Sequence, residues 1–384
     1  MGGILQAGDC LINGGMFYDA YSFNGTAGQR INIRLNSTAF DPYLVLYRGP
    51  YPGGTFITQD NDSGNGINAR IPSSGFLTLT QTGTYTILAS TIVGGGGSYS
   101  LSVQASKAPV SDFDGDRRSD ISVFRPSNGS WYLQQSTAGF TGVSFGLAAD
   151  KIAPADYDGD GRTDIAIYRP SEGMWYIANS SNGTYSSIRF GNPEDLPAAS
   201  DYDGDDRADL ALFRPSVGTW FIANSSNGRS TTTQFGQFAD RPTVGDYDGD
   251  GRSDVAVYRP SNGVWYRLNS EDGAFYAEQF GLADDVIVPA DYDGDGRTDL
   301  AVFRPDDGAW YIRYSETDSF AATAFGLVQD VPAPGDYDGD GLADIAVFRP
   351  SNGVWYIKNS SNSTFTIFQF GMNGDEPTEN AFGE

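Results

Sequence analysis

Apolar and polar positions alternate with a period of two along most of the chain, and no stretch carries the three-to-four spacing of a long helix. Over the first hundred residues the alternating runs fall at 17–23, 29–35, 43–47, 84–89 and 98–103. Turn clusters separate them, among them Asn61-Asp62-Ser63-Gly64 and the glycine run at 94–97, read as a hairpin tip. Period-two alternation between Gly-rich turns predicts short strands, about eight of them, in a β-sandwich.

From about residue 107 the pattern changes to a repeat of about 45 residues. The second unit shows its order. A short strand at 152–155 leads into an acidic loop at 156–164. Strands follow at 165–169, 174–178 and 184–190, with turns at 171–173 and 182–183. The Ser-Asn-Gly turns at 127–129, 261–263 and 351–353 suit tight hairpins, since Asn and Gly tolerate positive φ. Four short strands per unit predict a propeller blade. Six units predict a six-bladed ring of four-stranded blades, in an all-β chain divided as 1–106, 107–375 and a tail at 376–384. The tail repeats the strand that opens each unit (376–382), and residues 108–111 are expected to supply that strand for the first unit. The copy at the end is then surplus, free to cap the seam or to pair with a neighbouring molecule.

The six acidic loops begin at Asp112, Asp156, Asp201, Asp246, Asp291 and Asp336. Carboxylates stand at loop positions 1, 3, 5 and 9. The expected metal ligands are therefore Asp112, Asp114, Asp116 and Asp120; Asp156, Asp158, Asp160 and Asp164; Asp201, Asp203, Asp205 and Asp209; Asp246, Asp248, Asp250 and Asp254; Asp291, Asp293, Asp295 and Asp299; and Asp336, Asp338, Asp340 and Asp344. Oxygen donors without nitrogen or sulfur favour Ca2+, up to one ion per loop. Asp-Gly turns without metal are the plainer alternative, but they do not explain four carboxylates at shared positions in six loops. Position 6 is Gly in four loops but Arg117 in the first and Asp206 in the third, so the sites at Asp112 and Asp201 are expected to be weaker.

The formal net charge is −25 over 384 residues, which argues against nucleic acid. Six divalent ions would bring it to about −13. The chain has no His, which excludes a Ser-His-Asp triad, a Cys-His pair and His-ligated zinc. Cys10 is the one cysteine, so no internal disulfide can form. No apolar run has the length of a membrane span, and Met1-Gly2-Gly3 does not open a signal peptide.

Two recurring residue types invite a ligand. Six Trp share one position: Trp131, Trp175, Trp220, Trp265, Trp310 and Trp355. They could stack sugars, although packing between blades is the commoner role. Six Arg precede Pro at 125, 169, 214, 259, 304 and 349. A salt bridge or cation–π contact within the blade explains six copies better than one anionic ligand does.

Each loop is followed by an aliphatic, a small, an aliphatic and an aromatic residue and then Arg-Pro, and Phe-Gly closes each unit. These motifs resemble the FG-GAP and VCBS repeat families over about 265 residues. The resemblance implies calcium-loaded propellers that serve mostly in adhesion or ligand binding. Rings of the integrin type have seven blades, so six units depart from that group. The segments YDAYSFNGTAGQRINIRL, FDPYLVLY, NDSGNGINARI and SGFLTLTQTGTYTILAS resemble the bacterial pre-peptidase C-terminal domain, a jelly-roll-like accessory domain. That implies a secreted bacterial protein, at the cell surface or in the extracellular matrix.

The expectation is a non-catalytic recognition or adhesion module with a glycan or protein ligand. A structural subunit that self-assembles by strand donation is a second reading. A glycan-active enzyme is a third, which would need paired carboxylates not committed to metal.

Overall fold

A computed structural model describes every residue except 1, 7–8, 13–15, 28, 65–67, 74–75, 93–95, 106–108 and 381–384. Half of the predicted hairpin tip at 94–97 and most of the expected boundary at 105–107 lie outside the described residues. The chain divides into two compact units: Met1–Ser106 with Asp293–Gly296, and Lys107–Tyr292 with Arg297–Glu384. The fold is all-β. The one helix among the described residues is a single 3-10 turn, Thr378–Asn380, and no helix is long and apolar enough to cross a membrane.

The first unit holds two five-stranded sheets. One runs Gly2–Leu5, Gly97–Ala105, Arg30–Asn36 and Ala69–Ile71, with Leu77–Thr78 also paired to Arg30–Asn36. The other runs Cys10–Ile12, Met16–Gly25, Gly83–Thr91, Pro42–Arg48 and Thr55–Asp60. Four of the five predicted runs fall within these strands, and the run at 29–35 starts one residue before Arg30–Asn36. Ile31, Ile33, Leu35 and Leu101 from the first sheet share one core with Leu44, Leu46, Tyr85 and Ile87 from the second. Alternate side chains of a strand point to one face, so each run delivers its apolar half to this core.

The second unit holds six antiparallel four-stranded sheets, numbered here one to six in chain order. Sheet two has the strands Lys151–Ile152, Ile165–Arg169, Met174–Ala178 and Tyr185–Arg189. The buried aliphatics of each second strand and the Trp of each third strand form the cores between sheets.

The seam departs from expectation. Val110 and Ser111 form a turn, not the predicted opening strand of sheet one. Sheet one takes that strand from the far end of the chain: Glu376–Pro377 pairs with Ile121–Arg125, through Val123 with Pro377 and Phe124 with Glu376. The tail copy is therefore not surplus. Thr378 adds a buried hydroxyl contact to Ser111 at 2.7 Å, and the buried Glu379 accepts from Ser122. Pro109 directly precedes the turn, and proline has no N–H to donate to a strand ladder.

Removing residues 376–384 should cost about 3 kcal/mol or more, since it deletes several hydrogen bonds of about 1 kcal/mol each and uncovers the edge of sheet one. Denaturant unfolding of the truncated chain checks this. An unchanged midpoint would mean that the strand does not close the sheet.

Candidate metal centre

Each acidic loop folds around its own carboxylates. In loop two, Asp156 accepts from the backbone N–H of Gly159 at 2.7 Å and of Gly161 at 2.8 Å. Asp164 accepts from Tyr157 N–H at 2.8 Å and Ser180 N–H at 2.6 Å. The outer hairpin supplies a latch: the hydroxyls of Ser180 and Ser181 donate to Asp160 and Asp158. Loops three and six repeat these bonds with Ser225, Ser226, Ser360 and Ser361. The latch residues follow each Trp by five and six positions, a spacing visible in the chain but not used to predict the site.

Carboxylate oxygens converge in these loops. Ligand atoms of Asp112, Asp114 and Asp120 lie within 4.8 Å of one another, as do those of Asp156, Asp158 and Asp164, and of Asp201, Asp203 and Asp209. In loop four the group is Asp246, Asp248 and Asp250. The expected fourth ligand in the first three loops, Asp116, Asp160 or Asp205, instead accepts from the hairpin serine. In loop six, Asp336, Asp338, Asp340 and Asp344 keep the bonding pattern of loop two. In loop five the group is Asp291, Asp293 and Asp295. Asp299 still accepts from Tyr292 and Ser315 N–H as its counterparts do.

The residues fit a hard cation. Asp114, Asp158 and Asp203 each have one oxygen, Oδ1, that is buried without a hydrogen-bond partner. A buried acceptor without a donor costs about 1–3 kcal/mol, which a bound ion would remove. Burial, with help from the neighbouring carboxylates, pushes Asp112 up to about 6 and Asp120 up to about 7. Burial also raises Asp156, Asp164, Asp209 and Asp254. Asp114 goes the other way: burial opposes ionisation, but bonds from Thr137 and Ala138 outweigh it. Oxygen-only donors at this density suit Ca2+.

The loops are joined in a cycle. Thr163 N–H of loop two donates to the Asp112 carbonyl of loop one at 2.7 Å. Ala208, Ser253, Thr298 and Ala343 repeat the bond to Asp156, Asp201, Asp246 and Asp291, and Ser119 of loop one closes the circle on Asp336. Arg162 and Arg207 also lie against Gly115 and Gly159 of the preceding loop, where an added Cβ would meet the arginine at 3.0 Å.

Position 6 keeps its geometry without glycine. Arg117 has φ 67° and Asp206 φ 64°, beside 83°, 93° and 95° at Gly161, Gly251 and Gly341. Both still donate to the first carboxylate of their loop. The departure therefore strains the backbone and leaves the cage arrangement in place.

The six Trp are fully buried. Five donate the indole N–H to the carbonyl of the Phe that closes their unit, as Trp175 does to Phe190 at 2.9 Å. Trp131, Trp175, Trp220, Trp265, Trp310 and Trp355 thus offer no face to a ligand, and the sugar-stacking expectation is corrected. Their rings fill space between the sheets, where water and sugars cannot enter.

The six arginines are structural. Each makes a two-pronged pair with a buried aspartate just before a first strand: Asp150, Asp195, Asp240, Asp285, Asp330 and Asp375. Each guanidinium also lies 4.2–4.6 Å from the centre of the aromatic ring that follows Trp. Sequence reading found the arginines but missed this second aspartate set, which recurs with the same period.

The comparisons with known proteins agree with the repeat. The FG-GAP-like repeat matches residues 112–167, 201–257 and 246–302, and the FG-GAP repeat matches 148–187 and 331–367. The chain carries FG-GAP repeats. Solved structures give fainter likenesses. An Agrocybe aegerita lectin, described as recognising non-reducing terminal N-acetylglucosamine, is 17% identical over 64% of this chain and 74% of its own, with a TM-score of 0.45. TolB from Acinetobacter baumannii is 15% identical over 69% of this chain and 66% of its own, at 0.48. The pre-peptidase C-terminal domain of a Bacillus anthracis collagenase is 22% identical over 27% of this chain and 86% of its own, at 0.21. No curated protein matches the chain.

Two outcomes are expected. Arg117→Gly relieves a left-handed arginine and should add about 1 kcal/mol of stability, read as a rise in Tm; Asp206→Gly should add less, because Asp tolerates that region better. With calcium chelated, raised carboxylates bind protons more tightly folded than unfolded. Their stabilisation is full below the ordinary Asp value near 4 and is lost as pH rises through about 6–7. Tm of the chelated protein should thus fall from pH 4 to 8. With saturating calcium the trend should reverse, since the ion needs ionised ligands.

Proposed function

We propose that this chain is a secreted, calcium-binding, non-catalytic recognition or adhesion module of the cell surface or extracellular matrix. In this reading the six sheets are the blades of a six-bladed propeller of FG-GAP/VCBS type. The first unit is a pre-peptidase C-terminal-like β-sandwich that targets or attaches it. The supporting observation is the cycle of six acidic loops, three of which hold a buried carboxylate oxygen without a partner. Ca2+ in those loops would set the ring's rigidity and so present a fixed surface to a glycan or protein ligand.

The size of the effect is large enough to matter. Extracellular calcium modules bind at about 0.1–1 mM. At tenfold excess over Kd each site adds roughly 1.4 kcal/mol, and six sites on the order of 8 kcal/mol. Whole-domain stability is about 5–15 kcal/mol.

The absence of His and the commitment of two aspartate sets to loops and arginine pairs favour binding over catalysis. The alternative of a subunit polymerised by strand donation loses its motive, because the terminal strand pairs within its own chain.

Light scattering and thermal melts in millimolar calcium and after chelation test the proposal, together with binding of the labelled chain to bacterial cells and matrix. A monomer near 41 kDa that binds surfaces and melts at least about 10 °C lower without calcium is expected. Calcium-dependent polymers, or turnover of a surface glycan by the loaded chain, would overturn it.

A further inference from the structure

The six repeats are close to identical in their cores, and one place breaks the pattern. At the second position after Trp five sheets carry a buried aliphatic: Leu133, Ile177, Ile222, Ile312 and Ile357. Sheet four has Arg267 there. Opposite Trp265 in the ladder stands Glu278, where the other sheets have Val143, Ile188, Thr233, Thr323 and Phe368. Sheet five adds Arg313 beside it. The two irregular charges, Arg267 and Glu278, are not required by the repeat.

Together they wall a groove of about 370 Å³ between sheets four and five. Glu278 bridges the two sheets: it accepts from Arg267 at 3.1 Å and is ion-paired with Arg313 at 2.6 Å. Arg313 is also held by Asp318 at 2.7 Å. The Arg267 guanidinium lies between the Tyr247 and Tyr276 rings, 5.3 and 5.7 Å from their centres.

The intrusion leaves polar atoms without partners. In loops two, three, five and six the tyrosine at position 2 donates to a carbonyl four residues earlier. Tyr247, buried in the groove wall, does not. Its hydroxyl lies near that of Thr243, but the two lack hydrogen-bond geometry. Arg267 Nε and Ser315 Oγ in the same wall are also unpartnered. Such atoms cost about 1–3 kcal/mol each, a cost that a polar ligand reaching them would remove.

We propose that this groove is a binding site for an uncharged saccharide of one or two rings. The volume sits at the small end of ligand pockets, about 300–1,000 Å³. Arg267, Glu278, Arg313 and Asp318 are paired with one another, so they offer fixed donors and acceptors for hydroxyls. The half-exposed Tyr276 ring provides an apolar face for the C–H side of a sugar. Acidic residues outnumber arginines in the lining, which disfavours phosphate, sulfate and uronate groups. The inference rests on the recognition reading above and locates its ligand.

The calcium-loaded full chain is screened on an array of neutral, amino and acidic oligosaccharides, and the best neutral binder is followed by calorimetry. Arg267→Ile installs the residue type of the other sheets and should leave Tm equal or higher while weakening binding at least about tenfold; Tyr276→Ala should weaken it similarly. Affinity unchanged within about twofold in both variants would remove the groove as the site and leave the recognition reading standing. No neutral saccharide bound, or a preference for acidic ones, would overturn the ligand class. Calcium-dependent binding of the wild-type chain to cells separately decides the recognition reading.

Discussion

Repulsion between buried carboxylates is the constraint on which the second unit depends. Three oxygens within 4.8 Å carry like charge in partial shelter from water. Backbone N–H groups of the loop and of the outer hairpin absorb part of it, since hydrogen bonds to a carboxylate favour its charged form. Burial outweighs them at Asp112 and Asp120, whose pKa rises. What remains asks for a proton or a cation. The loop conformation and its capacity to hold an ion would therefore be one property.

That property spreads because the loops are chained. The Asp at position 1, a candidate ligand, also gives its carbonyl to the next loop. A loop that loses its fold loosens its neighbour. The opposite ends of the strands are fixed differently, by buried Asp–Arg pairs roofed with an aromatic ring. Asp150 does three jobs at once: it caps the turn through Leu147 N–H, pairs with Arg169 and precedes the first strand. Breaking such a pair leaves a buried charge and costs about 3–5 kcal/mol. Identical devices repeated six times hold the sheets, which leaves the departures from repetition available for other uses.

Much of this was legible in the chain. Strand positions followed from period-two alternation, as at Ile165–Arg169 and Met174–Ala178, where the predicted and observed bounds coincide. The carboxylates at positions 1, 3, 5 and 9 were named from spacing alone, and the converging groups are 1, 3 and 9 in loops one to three but 1, 3 and 5 in loops four and five. Two readings failed for a shared reason. The Trp expectation and the surplus strand both depended on what lies next to a residue in space. Trp175 packs beneath a neighbouring sheet, and Glu376–Pro377 reaches a partner some 250 positions back along the chain. Arg267 was also readable as an irregularity, yet only its contact with Glu278 and the adjacent sheet gave it meaning.

The sequence by itself determined the repeat, the strands within it and the chemistry of the loops, because those depend on spacing along one stretch of chain. Tertiary structure alone decided which end closes sheet one, which carboxylates converge, that the tryptophans are sealed away, and that sheets four and five part around a groove. These depend on residues from different repeats meeting in space, and six nearly identical repeats carry no local mark of which neighbour each will meet.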